Sequence, residues 1–263
     1  MGRSMKADRC RQDLPSWTPD WGTELQDSLG YQPFQSLIFN ASADTTAVVG
    51  FSEDLMLMTA RGIYFDEVEK VSFASYIQFP KHVGTDIGPL WRKMFDDLVA
   101  REDCMYRSDE ERLEAWWRTI IADQIQTPSG VTRAGPGTED QFAYFMHRGD
   151  PGPESWRLRT SIEDRRQKSS LPYVNAVAKA IGYSNNRRLF VTKRGYLGLG
   201  PGNTNEGDLV YILFGAPVPI ILRRQENNEF ACIGEAYVHG VMDGEITQGT
   251  SDERPVHQEI TMR

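Results

Sequence analysis

Between Arg188 and Val238 the chain reads as a succession of short apolar runs. The runs are Leu189–Thr192, Tyr196–Leu199, Asp208–Phe214, Pro219–Leu222 and Phe230–Val238. Lys193–Gly195, Pro201–Gly207, Gly215–Pro217 and Gln225–Asn228 separate them. Each run is too short for a stable helix, and each separator carries residues suited to turns. Sequential strands joined this way close easily into a small barrel. The longest nearly unbroken apolar stretch, Leu209–Leu222, holds 14 residues. That is too short to span a bilayer as a helix, and Gly215, Pro217 and Pro219 interrupt it. It reads instead as two buried strands and their turn.

A second strand-like region lies nearer the N-terminus. Leu37–Phe39, Ala47–Phe51, Leu55–Thr59 and Ile63–Val71 are apolar or alternating, with Ser52–Asp54 as a turn. Residues 34–85 are therefore expected to form an antiparallel meander. Residues 86–182 change to helical periodicity. Leu90, Met94, Leu98 and Val99 recur at helical spacing after Pro89. Ser108 and Glu111 form a capping box ahead of Leu113, Trp116, Trp117, Ile120 and Ile121. Thr138 and Gln141 form another ahead of Phe142, Phe145 and Met146, with Gly149 as a stop. Residues 126–137, rich in Gly and Pro, read as a loop. Pro172–Ile181 reads as a helix ended by Gly182. The expected class is α+β: an antiparallel β meander, a helical middle segment and a small C-terminal β-barrel-like unit. The expected organisation is an irregular Pro/Trp leading segment over 1–33 and a single unit over 34–263. Within that unit residues 183–245 form the barrel-like part and 246–263 a polar tail, with a last strand near Glu259–Thr261.

Composition excludes several function classes. The chain has 263 residues, 40% hydrophobic and 25% charged, with a net charge of −8. These are ordinary globular values. Cys10, Cys104 and Cys232 are too far apart for a zinc knuckle or a redox pair, and read as free thiols in a reducing compartment. The N-terminus has no apolar core and is not a secretory signal. An intracellular, cytoplasmic location without membrane attachment is expected. On that reading the sequon at Asn40–Ser42 has no role.

Three segments in order, Arg188–Pro201, Gly207–Pro219 and Gly234–Gly244, resemble the C-terminal region of fungal heterokaryon-incompatibility (HET-domain) proteins. Upstream, Leu14-Pro-Ser-Trp-Thr-Pro-Asp-Trp21 resembles the proline-tryptophan segment that comes after the signature domain in that family. The resemblance covers about residues 14–245 and is weakest over the helical middle. It implies a role in non-self recognition and programmed cell death. The N-terminal HET domain credited with the death-inducing activity has no counterpart here. The resemblance therefore implies a non-enzymatic regulatory or interaction module that packs on a HET domain, in cis or in trans.

Candidate sites are few. Gly195–Gly202 is glycine-rich. The next residues, Asn203–Asp208, do not start a helix, and the Gly-Lys-Ser/Thr ending is missing. A crowded strand and turn is therefore expected rather than a phosphate loop. No Gly-x-Ser-x-Gly elbow is present. Tyr237, His239 and Asp243 form a candidate polar cluster, and a site near His239 and Asp243 is the enzyme alternative. No cofactor, metal ligand set or catalytic residue is expected. Trp17 and Trp21 are candidate interaction residues, or indoles that clamp the leading segment onto the fold. The stretch from Arg157 to Arg194 holds ten basic residues against Glu163 and Asp164. Arg157, Arg159, Arg165, Arg166, Arg187, Arg188 and Arg194 are its candidate contacts. An anion or nucleic-acid binder is the alternative it raises. The acidic whole and the lack of interleaved aromatics argue against nucleic acid and for a charge match within or between domains.

Overall fold

The computed structural model describes residues 14–18, 38–72, 101, 104–146, 174–249 and 256–263, with Lys93 and Asp97 placed singly. Its strands are β1 (Val49–Phe51), β2 (Met58–Val71), β3 (Gln124–Thr127), β4 (Gly130–Arg133), β5 (Arg187–Thr192), β6 (Leu197–Pro201), β7 (Leu209–Leu213), β8 (Ile220–Arg224), β9 (Phe230–Glu235), β10 (Tyr237–Val238) and β11 (His257–Met262). Its helices are α1 (Asp109–Ile120), α2 (Thr138–Met146), α3 (Val174–Ala180) and α4 (Glu245–Gln248), with a 3₁₀ turn at Ile181–Ser184.

The strands form a ring. One edge of β2 pairs with β1 and then β7, and the other with β11 and then β5. From β5 the ladder runs through β6 to β10, which continues β9; β8 then leads to β7 and back to β2. The ring is barrel-like without being a regular barrel. β2 is irregular at Tyr64/Asp66 and Val68/Lys70, β9 shifts register opposite Ile221/Leu222, and β10 supplies two residues. β11 bridges β2 and β9, touching β9 through the single parallel pair Met262 and Phe230.

Strand alternation decides what each face buries. On β7, Val210 joins Phe65, Val68, Phe190, Ile221 and Val238 in one core. Leu209 and Tyr211 point the other way, onto Leu222, Phe230, Ile260 and Met262. Both faces of β7 are thus buried, which explains an apolar run without alternation. A third core forms outside β5 and β6, where Leu189, Val191, Leu197 and Leu199 meet Trp116, Trp117, Ile120 and Ile121 of the α1 region. α1 begins with the expected cap, Ser108 Oγ accepting the Glu111 amide at 3.1 Å, while the Glu111 carboxylate reaches one residue further back and accepts the Arg107 amide at 2.6 Å.

Several local expectations are corrected. Ile38–Asp44 turns instead of forming a strand, and Ile63–Val71 belongs to one 14-residue strand that starts at Met58. The loop expected over 126–137 contains most of the β3–β4 hairpin, because Pro128–Gly130 supplies a tight turn between two short extended runs. Gly182 does not end the third helix, which tightens through it as a 3₁₀ turn. The last strand expected near Glu259–Thr261 is present and longer than expected, as β11, six residues paired along β2. The helix expected around Leu90–Val99 and the stop at Gly149 lie outside the described residues.

Candidate functional site

The glycine-rich segment is settled by its neighbours. A Cβ on Gly198 would lie 2.1 Å from Cζ of Phe190, and one on Gly200 would lie 2.6 Å from Thr204 Oγ1. The glycines let β6 pass over the Phe190 ring in a small core, and the next element is strand β7, not a helix.

Tyr237 on β10 points away from the ring core and is fully buried beside Phe39, with ring centroids 5.9 Å apart. Its hydroxyl meets His239 Nδ1 at 2.9 Å. The backbone of His239 extends the β10–β6 pairing, with its amide donating to the Leu197 carbonyl at 2.9 Å. Tyr106 locks the same junction: its hydroxyl donates to the His239 carbonyl at 3.2 Å and accepts the Leu197 amide at 3.1 Å. Burial, helped by the nearby positive charge of Arg118, lowers the His239 pKa to about 4. The ring is therefore neutral at physiological pH. Burial also raises the phenols of Tyr106 and Tyr237 far above their usual range.

Asp243 does not join His239. Its carboxylate takes a two-point bond from Arg133, Nη1 to Oδ1 at 2.9 Å and Nη2 to Oδ2 at 3.2 Å. Gly240 and Gly244 have φ of 89° and 90°, so the chain turns between these residues. Glu245 turns back to accept the Asp243 amide at 2.7 Å.

Arg133 leads to a network that residue patterns did not single out. Its Nε also bonds Asp123, whose carboxylate is 2% exposed, and Arg118 bonds the other oxygen of Asp123. Arg118 in turn bonds Glu114 at 2.8 Å and the Ala134 carbonyl at 3.0 Å. Ala122 and Asp123 adopt positive φ of 48° and 51°, which turns the chain out of α1 and drops the carboxylate between two guanidiniums. The charges alternate along Glu114, Arg118, Asp123, Arg133 and Asp243. Arg118 lies over Trp117 and Arg133 over Phe39, with guanidinium carbons 4.5 and 4.8 Å from the ring centres. The advance signals were local, Arg118 in the last turn of a helix and Glu114 four residues before it; the bonds of Arg133 to Asp123 and Asp243 depend on contacts further apart in the chain. The arrangement ties α1, the β3–β4 hairpin and the Val241–Gly244 turn together. Among the described residues no group of three or more His, Cys, Asp and Glu side chains stands together as a metal site.

The arginines of the basic stretch that are described make contacts within the chain. Arg187 is buried and donates to the Glu235 carbonyl at 3.0 Å. Arg188 donates to the Thr204 carbonyl at 2.7 Å, and Lys193 pairs with Glu67 at 2.9 Å. Arg194 lies over Phe65 and Tyr196, and its backbone amide donates to Asp66 at 3.1 Å. Arg157, Arg159, Arg165 and Arg166 lie outside the described residues. Trp17 holds residues 14–18 against the fold: it packs on the core of Leu209, Tyr211 and Phe230, with its ring 5.4 Å from that of Phe51. Ser16 beside it accepts the Cys232 amide at 2.8 Å and donates to the carbonyl of Arg263. Trp21 lies outside the described residues. Burial pushes the Cys232 thiol up to about 11, which keeps it protonated.

The family model of the Het-6 beta-barrel domain matches residues 93–255, more than half of the chain. The chain belongs to the Het-6 beta-barrel domain family. It is also 22% identical over 291 aligned positions to heterokaryon incompatibility protein 6, OR allele, of Neurospora crassa. That alignment covers 96% of this chain and 41% of the relative. No solved structure matches. The ring of this Het-6 barrel takes β2 from before the matched stretch and β11 from after it. Among the described residues, no helix is long and apolar enough to cross a membrane.

Proposed function

We propose that this Het-6 barrel is a non-enzymatic interaction module of heterokaryon incompatibility, acting inside the cell by packing on a HET domain in cis or in trans. The observation that carries the reading is the comparison with the Neurospora relative. Nearly the whole of this chain aligns with a protein of that name, while spanning 41% of it. The module would then be one part of a larger working assembly. The candidate polar cluster supports a scaffolding role. His239 is held neutral against Tyr237, and Asp243 is taken up by Arg133. The described arginines of the basic stretch are engaged within the chain, which weighs against an anion-binding stripe.

The test is a titration of this chain with the part of the Neurospora relative that lies outside the aligned stretch, expressed separately. Saturable binding supports the reading. Its absence by calorimetry and by co-purification from one host cell overturns it.

A further inference from the structure

The core around Leu209, Tyr211, Leu222 and Phe230 runs outward to the surface through β1. Val49 lies opposite Ala60 and Phe51 opposite Met58, both pairs on the face that Ile260 and Met262 share. Yet Val49 is 54% exposed and Phe51 53%. Val48 and Leu55 beside them are also exposed. Two apolar side chains in line on one sheet face, adjoining a buried cluster and a docked tryptophan, form a patch rather than a scatter of single residues.

The turn after β1 makes the patch a rigid tip. The Ser52 amide donates to the Leu57 carbonyl at 3.0 Å, the Leu57 amide to Ser52 Oγ at 2.9 Å, and the Leu55 amide to the Ser52 carbonyl at 2.9 Å. Asp54 accepts both the Ser52 hydroxyl and the Met56 amide. Leu55 has φ of 58° and is 61% exposed. A branched, bulky residue is strained there, and its side chain stays largely in solvent. A glycine would suit that backbone better.

Charge selects the kind of surface. Residues 42–57 contain Asp44, Glu53 and Asp54 and no Lys or Arg, and the cation that acts on Asp54, Arg263, is itself paired with Glu229. Two copies of this tip would bring like charges together, in a chain whose net charge is already −8. An anionic membrane would be repelled in the same way. A protein groove with an apolar floor and a basic rim meets both requirements.

We propose that the β1 tip, Val49, Phe51 and Leu55 with Glu53 and Asp54 at its rim, is a docking surface for an apolar, basic-rimmed groove on a partner protein domain. This deepens the interaction-module reading and rests on it: the groove belongs to the domain on which the module packs. Trp17 sits against Phe51, so residues 14–18 lie at the same place.

The experiment uses the full chain and, as probe, the separately expressed part of the Neurospora relative outside the aligned stretch. Phe51→Ser and Leu55→Gly are each expected to weaken binding at least tenfold. Glu53→Lys with Asp54→Lys is expected to weaken it and to flatten its dependence on salt. Val256→Ser, an exposed apolar residue outside the tip, is the control expected to bind as the parent does. Leu55→Gly separates docking from folding, because relief of the positive φ should leave its melting temperature equal or higher while binding falls. Undiminished binding by the tip variants overturns the docking surface and leaves the interaction-module reading intact. No binding by the parent chain overturns both. Tip-dependent dimerisation in sedimentation equilibrium, or tip-dependent pelleting with phosphatidylcholine–phosphatidylserine vesicles, overturns the proposed occupant.

Discussion

Asp123 is the residue on which the helical layer and the hairpin depend most. Its carboxylate is 2% exposed and satisfied by Arg118 and Arg133, which are themselves 21% and 35% exposed. Removing one member of such a group leaves charge without a partner. Asp123→Ala should lower unfolding stability toward the lower end of ~3–5 kcal/mol, because both guanidiniums keep some contact with water. Urea denaturation measures it, and an unchanged midpoint would show that the network contributes nothing. His239 gives a pH signature. Its folded pKa of about 4 lies below the unfolded value of 6.5. The unfolded chain therefore binds a proton that the folded chain refuses. Stability from this group is complete above about pH 6.5 and falls as the pH drops toward 4, with a slope approaching ~1.4 kcal/mol per pH unit. His239→Phe, which cannot titrate, should flatten that part of the stability curve. A curve of the same slope in the variant would assign the dependence to other groups.

Among the elements, β6 is the one whose sequence is most tightly dictated by its neighbour. Gly198 and Gly200 both face Phe190. Gly198→Ala must push a methyl group into the ring, and is expected to cost about 1–3 kcal/mol or more. Phe190→Leu opens the same space, so the double variant should be more stable than the sum of the two single changes. Additive costs would mean that Gly198 is needed for its backbone alone.

The elements also show how much of the fold was legible beforehand. Leu209–Leu213 announced itself because burial on both faces leaves no polar residue to confuse the pattern. Ser108–Glu111 did so because a cap is a local matter of four residues. β2 was harder: Gly62, Asp66 and Glu67 interrupt it, and its irregular positions break strict alternation, so one strand read as two. The β3–β4 hairpin was hidden by Pro128 and Gly130, which mark a loop as readily as a two-residue turn. At the site, Tyr237, His239 and Asp243 were recognised as polar residues close in sequence. Their separation into a Tyr–His contact and an Arg–Asp pair was not legible, since Arg133 reaches Asp243 across 110 residues.

At the scale of the whole molecule, both halves of the chain build one ring. β2 lies 116 residues before β5 along the chain, counted from Val71 to Arg187, and still pairs with β5, β7 and β11. Contacts of such separation make for slow folding but leave few open edges within the ring. The apolar surface that does remain at β1 is therefore informative. The proposed work of this Het-6 barrel is to hold another protein domain. The most direct measurement is calorimetric titration of the intact chain with the part of the Neurospora relative beyond the aligned stretch. The account predicts one-to-one binding of micromolar affinity or tighter, with the negative heat-capacity change of apolar burial. No heat and no complex at concentrations well above that range, with both proteins folded, would contradict it.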